Sequence, residues 1–327
     1  MAVRLSIVIP FFNVEPYISQ CLDSVFNQDI PEEEYEVICV NDASPDHSRD
    51  IVVKYQNEHK NLVLVEHDRN KKLGAARNTG RMIARGKYLW NVDSDDMIAP
   101  NCLSEVLKVC EENDVDVFFF SFDNLENGTR QSRKRIWQES SSVISGSLFW
   151  KQQVLRHQSE VSQVWTQVYR REFLNDKRIY SPEINMGEDI SYTYRGFLLA
   201  DRVWVSNTPY YIWRRNPLSL MGEIVRTPKP SALYESSYVS GRILHGVLSS
   251  IPSKENEIRL SVINTIRYLI IKPWRVFPGL DSDSQAAFLR LCRKGFFRNL
   301  FVFRDLNKRH SFLYLKFLLL GRSFRLN

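Results

Sequence analysis

Tyr88-Leu89-Trp90-Asn91-Val92-Asp93-Ser94-Asp95-Asp96-Met97-Ile98-Ala99-Pro100 carries an apolar run straight into three carboxylates. An apolar run of this length, bounded by polar residues, reads as a buried strand. Three acids at one backbone turn repel one another unless a hard cation or well-placed donors offset them. Two roles are open to them. Asp93 or Asp95 can cap the helix that follows, or the pair can form a divalent-cation site that holds phosphates. Asp281-Ser282-Asp283 repeats the same letters after Pro278-Gly279, with no apolar strand ending at it. It reads as a helix cap.

Working outward, residues 5–12 are a continuous apolar run, as expected of a parallel strand covered on both faces, with Pro10 as its end. Residues 15–26 then place Tyr17, Ile18, Cys21, Leu22, Val25 and Phe26 at helical spacing, with Pro16 in the first turn. A second strand, 35–40, stops at Asn41-Asp42, and Ser44-Pro45-Asp46 opens the next helix. Strand 62–65, helix 74–84, strand 88–92, helix 103–110 and strand 116–120 continue the alternation. Such alternation predicts an α/β fold: a Rossmann-like, mainly parallel sheet with helices on both faces and ligands at the carboxyl ends of its strands. Asn13, Asp42 and Asp93 all fall at those ends.

From 123 to 147 the pattern is irregular and holds a basic run, Arg130-Gln131-Ser132-Arg133-Lys134-Arg135, of the kind usually found in solvated loops. Residues 164–170 read as extended, 171–175 as a short helix, 190–199 as a helix preceded by Met186-Gly187-Glu188-Asp189, and 203–205 and 210–214 as two short strands. Beyond about residue 221 the pattern changes to long amphipathic helices near 232–248, 257–271 and 285–297. The expected organisation is a catalytic domain over 1–220, with halves of about 1–122 and 123–220, and a helical region over 221–327.

Composition is ordinary for a globular chain of 327 residues with net charge +6. The charge is uneven: residues 290–327 hold ten Lys or Arg against one acid, Asp305, a net of +9, which leaves 1–289 at −3. No nucleic-acid module accompanies this basic tail, so nucleic acid is not expected as a partner and an anionic membrane surface is. Five cysteines, odd in number and without Cys-x-x-Cys spacing, read as packed thiols in a reducing compartment. The amino terminus lacks the build of a signal peptide, and no stretch approaches the roughly 20 apolar residues of a transmembrane helix. The expected place is cytoplasmic, peripheral at the inner face of the membrane.

Four motifs in order, Ile7-Val8-Ile9-Pro10-Phe11-Phe12-Asn13, Val40-Asn41-Asp42-Ala43-Ser44-Pro45-Asp46, Gly74-Ala75-Ala76-Arg77-Asn78-Thr79-Gly80 and Asp93-Ser94-Asp95-Asp96, give the chain a likeness over about 4–215. It resembles the family-two glycosyltransferases of the A-type fold. That resemblance implies an inverting transfer from a nucleotide-sugar, a UDP-sugar, to a saccharide or lipid-linked acceptor in cell-surface polysaccharide synthesis. It further implies that Asp42 binds the base above a floor of Pro10, Phe12 and Asn13, and that Arg77 and Asn78 lie near the diphosphate and ribose. By the same likeness Asp95 ligates Mn²⁺ or Mg²⁺ with Asp93 beside it, Asp96 being left to cap the next helix. Asp189, paired with Glu188, is the general base. Trp213, Arg214, Arg215 and Ser219 resemble the family's late basic segment, whereas Gln167 stands where a lysine is commoner. Trp165, Tyr169, Tyr210 and Trp213 are the aromatics open either to core packing or to stacking on acceptor sugars. A nucleotidyltransferase needs a glycine-rich phosphate loop after the first strand, which Pro10-Phe11-Phe12-Asn13 is not. A catalytically silent sugar-nucleotide-binding protein has no need of both acidic pairs.

Overall fold

The structure is a computed structural model that describes residues 2–157, 161–184, 187–216 and 230–274. The chain forms two compact units, one of 1–184 with 188–226 and one of 185–187 with 227–327.

The first unit is built on β1 (Leu5–Phe11), α1 (Glu15–Phe26), β2 (Tyr35–Asn41), α2 (Ser48–Glu58), β3 (Leu62–Glu66), α3 (Leu73–Ile83) and β4 (Tyr88–Asn91). It continues with β5 (Met97–Ile98), α4 (Leu103–Glu112), β6 (Val117–Glu126), β7 (Thr129–Gln131), α5 (Gly146–Phe149) and α6 (Leu155–His157), then β8 (Gln167–Arg170), α7 (Arg171–Asp176), α8 (Glu188–Leu199) and β9 (Val203–Arg214). The strands make one sheet in the order β3-β2-β1-β4-β8-β6-β9-β5, with β7 on β6. The β3-β2-β1-β4 half is parallel, and the other half is mixed. Every residue of β1 and β2 is buried, because helices cover both faces of a parallel half.

Three local expectations change. Pro10 lies inside β1, opposite Val40. Strand β1 turns the groups of Arg4 and Val8 toward β4, through Tyr88 N–H to Arg4 O and Val92 N–H to Val8 O. Pro10 has the same parity, so its missing N–H faces the side where β4 has already ended, and proline is tolerated there. Residues 203–205 and 210–214 belong to one strand, β9, which irregularities opposite Ser121 keep paired with β6 throughout. The strand foreseen over 116–120 runs on to Glu126 and turns into β7, so part of the irregular region is a hairpin.

The core is densely aromatic where the halves meet. Trp90 donates its indole N–H to Trp165 O at 2.9 Å and meets Phe120 edge-on at 5.2 Å, and Trp165 stacks on Tyr211 at 4.4 Å. Trp165, Tyr169 and Tyr210 are therefore core residues, while Trp213 is exposed. Gln167 is buried and accepts the Tyr169 hydroxyl at 3.0 Å. Helix α3 lies directly on β1: a Cβ on Gly80 would come within 2.4 Å of Val8 Cγ1.

In the second unit, helices Pro230–Val247 and Asn256–Trp274 pack on each other, so that a Cβ on Gly241 would lie 3.6 Å from Ile266 Cγ2, with Leu244, Val247, Ile258 and Val262 buried. The helix expected near 285–297, Asp281-Ser282-Asp283 and the basic tail lie outside the described residues. Among the described residues no helix is long and apolar enough to cross a membrane, and Cys21, Cys39, Cys102 and Cys110 are buried free thiols.

Candidate active site

The carboxyl ends of β1, β2 and β4 meet as the fold class requires. The first two loops are stitched together: Asn13 N–H donates to Ser44 Oγ at 2.7 Å, Ser44 Oγ donates to Asp46 at 2.6 Å, and Asp46 accepts Glu15 N–H at 2.8 Å. Asn13 and Ala43 both take positive φ, 56° and 58°. That costs a non-glycine residue about 1–3 kcal/mol and persists only where the surroundings over-determine it. Phe12 is left 43% exposed at this rim, a flat apolar face beside the strand ends.

Asp42 lies next to it, buried. Its Oδ1 accepts His67 Nδ1 at 2.7 Å and Lys71 N–H at 2.8 Å, and its Oδ2 accepts Lys72 N–H at 2.8 Å. His67 continues through Nε2 to Thr79 Oγ1 on α3 at 2.9 Å. Asp42 thus fixes the loop that enters α3, with one oxygen holding a single bond. Nothing in the spacing of His67 marks it in the sequence.

Arg77 organises the centre. Its guanidinium is buried and spans three carboxylates: one terminal nitrogen reaches Asp93 Oδ1 at 2.7 Å, the other Glu188 Oε1 at 2.9 Å and Asp189 Oδ1 at 2.6 Å. Burial disfavours its charge, but the three acids outweigh that and hold its pKa well above the ordinary value. The arginine expected at the diphosphate is therefore committed to acids, and a phosphate contact has to compete with all three. Asn78 is committed as well: its amide donates to Ser181 O at 2.8 Å and accepts Ser181 N–H at 2.9 Å. Beside it a Cβ on Gly74 would sit 2.2 Å from Pro182 O, so residues 178–184 lie close across the start of α3.

The acid turn is held from β9. Tyr211 donates its hydroxyl to Asp96 Oδ2 at 2.8 Å and accepts Asp93 N–H at 3.1 Å. Asp96 Oδ1 accepts Arg214 N–H at 2.7 Å, so Asp96 does not cap the next helix as expected: its side chain points inward to β9. Arg214 donates through Nε to Asp95 O at 2.8 Å and pairs through a terminal nitrogen with Gln20 at 2.5 Å. Asp95 Oδ2 accepts the Asn216 amide at 2.9 Å.

Electrostatically the centre is short of positive charge. Burial pushes the carboxyls of Asp93, Asp95 and Asp96 above the ordinary range; Arg77 opposes this at Asp93, whereas Asp93 adds to it by repulsion at Asp95. Burial likewise pushes Asp189 up to about 7, against the Arg77 guanidinium and with repulsion from Glu188. A hard divalent cation fits this donor set. Asp93 and Asp95 share one turn, and two carboxylates with substrate phosphates and water suffice for Mg²⁺ or Mn²⁺. The described residues contain no group of three or more such ligands that would hold a metal alone.

The family model described as glycosyl transferase family 2 matches residues 6–178. The chain is 31% identical to the Bacillus subtilis glycosyltransferase EpsJ over 66% of this chain and 62% of that protein. It is 34% identical to the poly(ribitol-phosphate) beta-glucosyltransferase of Bacillus spizizenii over 65% of this chain and 33% of that one. The chain thus spans less than two thirds of the length of these curated relatives. The fold is that of Staphylococcus aureus TarS 1–349, solved in complex with UDP-GlcNAc: TM-score 0.73 at 23% identity, covering 95% of this chain and 84% of that one.

Proposed function

The chain belongs to glycosyl transferase family 2, and on that premise we propose that it moves a sugar from a nucleotide-sugar, a UDP-sugar, to a hydroxyl of a saccharide or lipid-linked acceptor in cell-surface polysaccharide synthesis, with inversion at the anomeric carbon. The observation that carries the proposal is the meeting on one buried cation, Arg77, of Asp93 from the end of β4 with Glu188 and Asp189 from the start of α8. A donor-side acid and an acceptor-side base are thereby held together, which is the positioning that direct displacement requires.

In this scheme the base lies against exposed Phe12 with Pro10 and Asn13 beneath it, and the singly bonded Asp42 Oδ2 accepts an N–H from its edge. Asn78 serves indirectly, by holding residues 178–184 over α3. Arg77 acts as a positioning residue that fixes the three acids. Asp95 and Asp93 are the residues that would hold Mn²⁺ or Mg²⁺, and a cation bound there would supply positive charge against that growing on the departing nucleotide. Asp189 takes the proton from the acceptor hydroxyl as its oxygen attacks the anomeric carbon and the bond to the diphosphate breaks. A carboxyl held at about 7 is matched to that task near neutral pH. The tail's net +9 gathers the protein at an anionic leaflet, beside a lipid-linked acceptor.

The test is a thermal-shift and hydrolysis screen of UDP-, GDP- and dTDP-sugars with and without Mn²⁺. A stabilising shift and sugar release with a UDP-sugar, dependent on Mn²⁺, is the expected result. No shift with any nucleotide-sugar sinks the proposal.

A further inference from the structure

The sheet register brings to Asp42 a residue with no part in the chemistry above. The parallel pairing of β2 with β3 ends at Asn41↔Glu66, and His67 N–H continues it by donating to Asn41 O at 2.9 Å. Asp42 and His67, the next residues on the two strands, therefore stand side by side at the carboxyl edge of the sheet. Their side chains, each 5% exposed, meet at 2.7 Å through His67 Nδ1 and Asp42 Oδ1. Behind the ring, Nε2 meets Thr79 Oγ1 on α3 at 2.9 Å. An ionised carboxylate accepts and does not donate, so Nδ1 carries a proton whether the ring is neutral or charged, and the Thr79 hydroxyl can turn to suit Nε2 in either state.

A carboxylate offers about four lone-pair positions. At Asp42 three are filled from the described residues: Oδ1 accepts His67 Nδ1 and Lys71 N–H, and Oδ2 accepts Lys72 N–H. Lys72 takes a φ of 76° to bring its N–H round. Of the three donors only His67 is a side chain. The remaining position, on Oδ2, is an acceptor with one direction. A base that presents a ring imide N–H to it, as uracil does at N3, is matched. Cytosine in the same pose presents a lone pair there, and its nearest donor, the exocyclic amino group, lies one atom further along. To reach that group the carboxylate has to turn, and the bond from His67 opposes the turn. A site that leaves its own buried acceptor facing a lone pair rejects the wrong ligand strongly.

We propose that His67 is the positioning residue for base selection: by holding Asp42 Oδ1 it fixes the open direction of Oδ2, so that the site takes uracil and turns cytosine away. This rests on the base meeting Asp42, as proposed above, and adds the residue that sets the selectivity. The experiment titrates the full chain, with Mn²⁺ present, with UDP, CDP and N3-methylated UDP, and repeats it on three variants. The parent should bind UDP more tightly than either of the others by roughly tenfold to a hundredfold. His67→Gln places its amide where Nε2 stood, keeping a partner for Thr79 but giving Asp42 no donor; its preference for UDP over CDP should fall to about threefold or less. It should still reject N3-methylated UDP, which has no N–H for any orientation of the carboxylate. His67→Asn places its amide nitrogen where Nδ1 stood and should keep the preference over CDP. Thr79→Val, which frees the ring at Nε2, should lose part of it. The ratio of affinities cancels any loss of folded protein, and a merely structural role would weaken UDP and CDP alike. Full rejection of CDP by both His67→Gln and Thr79→Val overturns the proposal, as does an equal loss of selectivity in His67→Gln and His67→Asn; either result leaves Asp42 as the base contact. A parent that binds N3-methylated UDP as well as UDP removes the base from Asp42 and takes this proposal with it, and a parent that binds none of the three sinks the donor reading as well.

Discussion

The Tyr211 hydroxyl donates to Asp96 at 2.8 Å while accepting the backbone N–H of Asp93 at 3.1 Å, so one oxygen on β9 sets the conformation of the acid turn. Tyr211 and Asp96 are both buried, where leaving a polar group unpaired costs about 1–3 kcal/mol. Tyr211→Phe should lose stability in that range in urea unfolding. It should also weaken Mn²⁺-dependent UDP binding, because the Asp93 backbone is released; unchanged binding would limit Tyr211 to a packing role.

Asp95→Asn should abolish the Mn²⁺ dependence of UDP binding and leave the melting temperature near that of the parent. Asp283→Asn, at the other Asp-Ser-Asp, should bind UDP as the parent does. Mn²⁺-dependent binding that survives in the Asp95 variant moves the cation elsewhere.

Asp189→Asn should keep donor binding and slow transfer by roughly 10² to 10⁴. In the parent, transfer should fall as pH drops below about 7, the value to which burial lifts the Asp189 carboxyl. Stability runs the other way. A carboxyl whose pKa is raised on folding contributes stability that is full below its unfolded value, about 3.9, and lost as pH rises through the folded one. The melting-temperature difference between variant and parent should therefore move in the variant's favour between pH 5 and pH 8. A constant difference contradicts the raised value.

Arg77→Met leaves Asp93, Glu188 and Asp189 facing one another without their shared cation. Breaking a buried ion pair from one side costs about 3–5 kcal/mol. The loss should be largest near neutral pH and shrink on acidification as the acids take up protons. Arg77→Lys should recover only part, since a single ammonium lacks the fork that spans three carboxylates.

The basic tail should bring the full chain down with anionic vesicles at low salt and not with neutral ones, and a chain ending near residue 283 should stay in solution. Equal sedimentation of the two chains removes the tail as an anchor.

The parallel half was legible because periodicity is strong where both faces are buried: α1 matches its expected span, and β2, β3 and α3 differ by a residue or so. The placement of Asn13, Asp42 and Asp93 at one edge followed from that alternation. Partnerships were less legible. Arg77 was assigned to phosphate because the pull of Glu188 and Asp189, 111 and 112 residues away, leaves no local trace. Asp96, Tyr211 and Asn216 were missed or misassigned for the same reason: the strand that brings them together lies next to β6 and far from β4 in sequence. Trp213 was separable from Trp165 only once burial was known.

Strand β8 enters the sheet between β4 and β6, although 75 residues separate Trp90 from the Trp165 carbonyl it binds. As the chain leaves the ribosome, β6 is made before β8, and the edges of β4 and β6 that face each other stay unpaired until residues 167–170 emerge. Until then the nascent chain carries two unpaired edges flanked by Trp90 and Phe118 to Phe120, the kind of surface that chaperones shield and aggregates recruit. Because α8 follows β8, Glu188 and Asp189 arrive only after this gap has closed, so a chain that stalls earlier leaves Arg77 with Asp93 alone of its three acids.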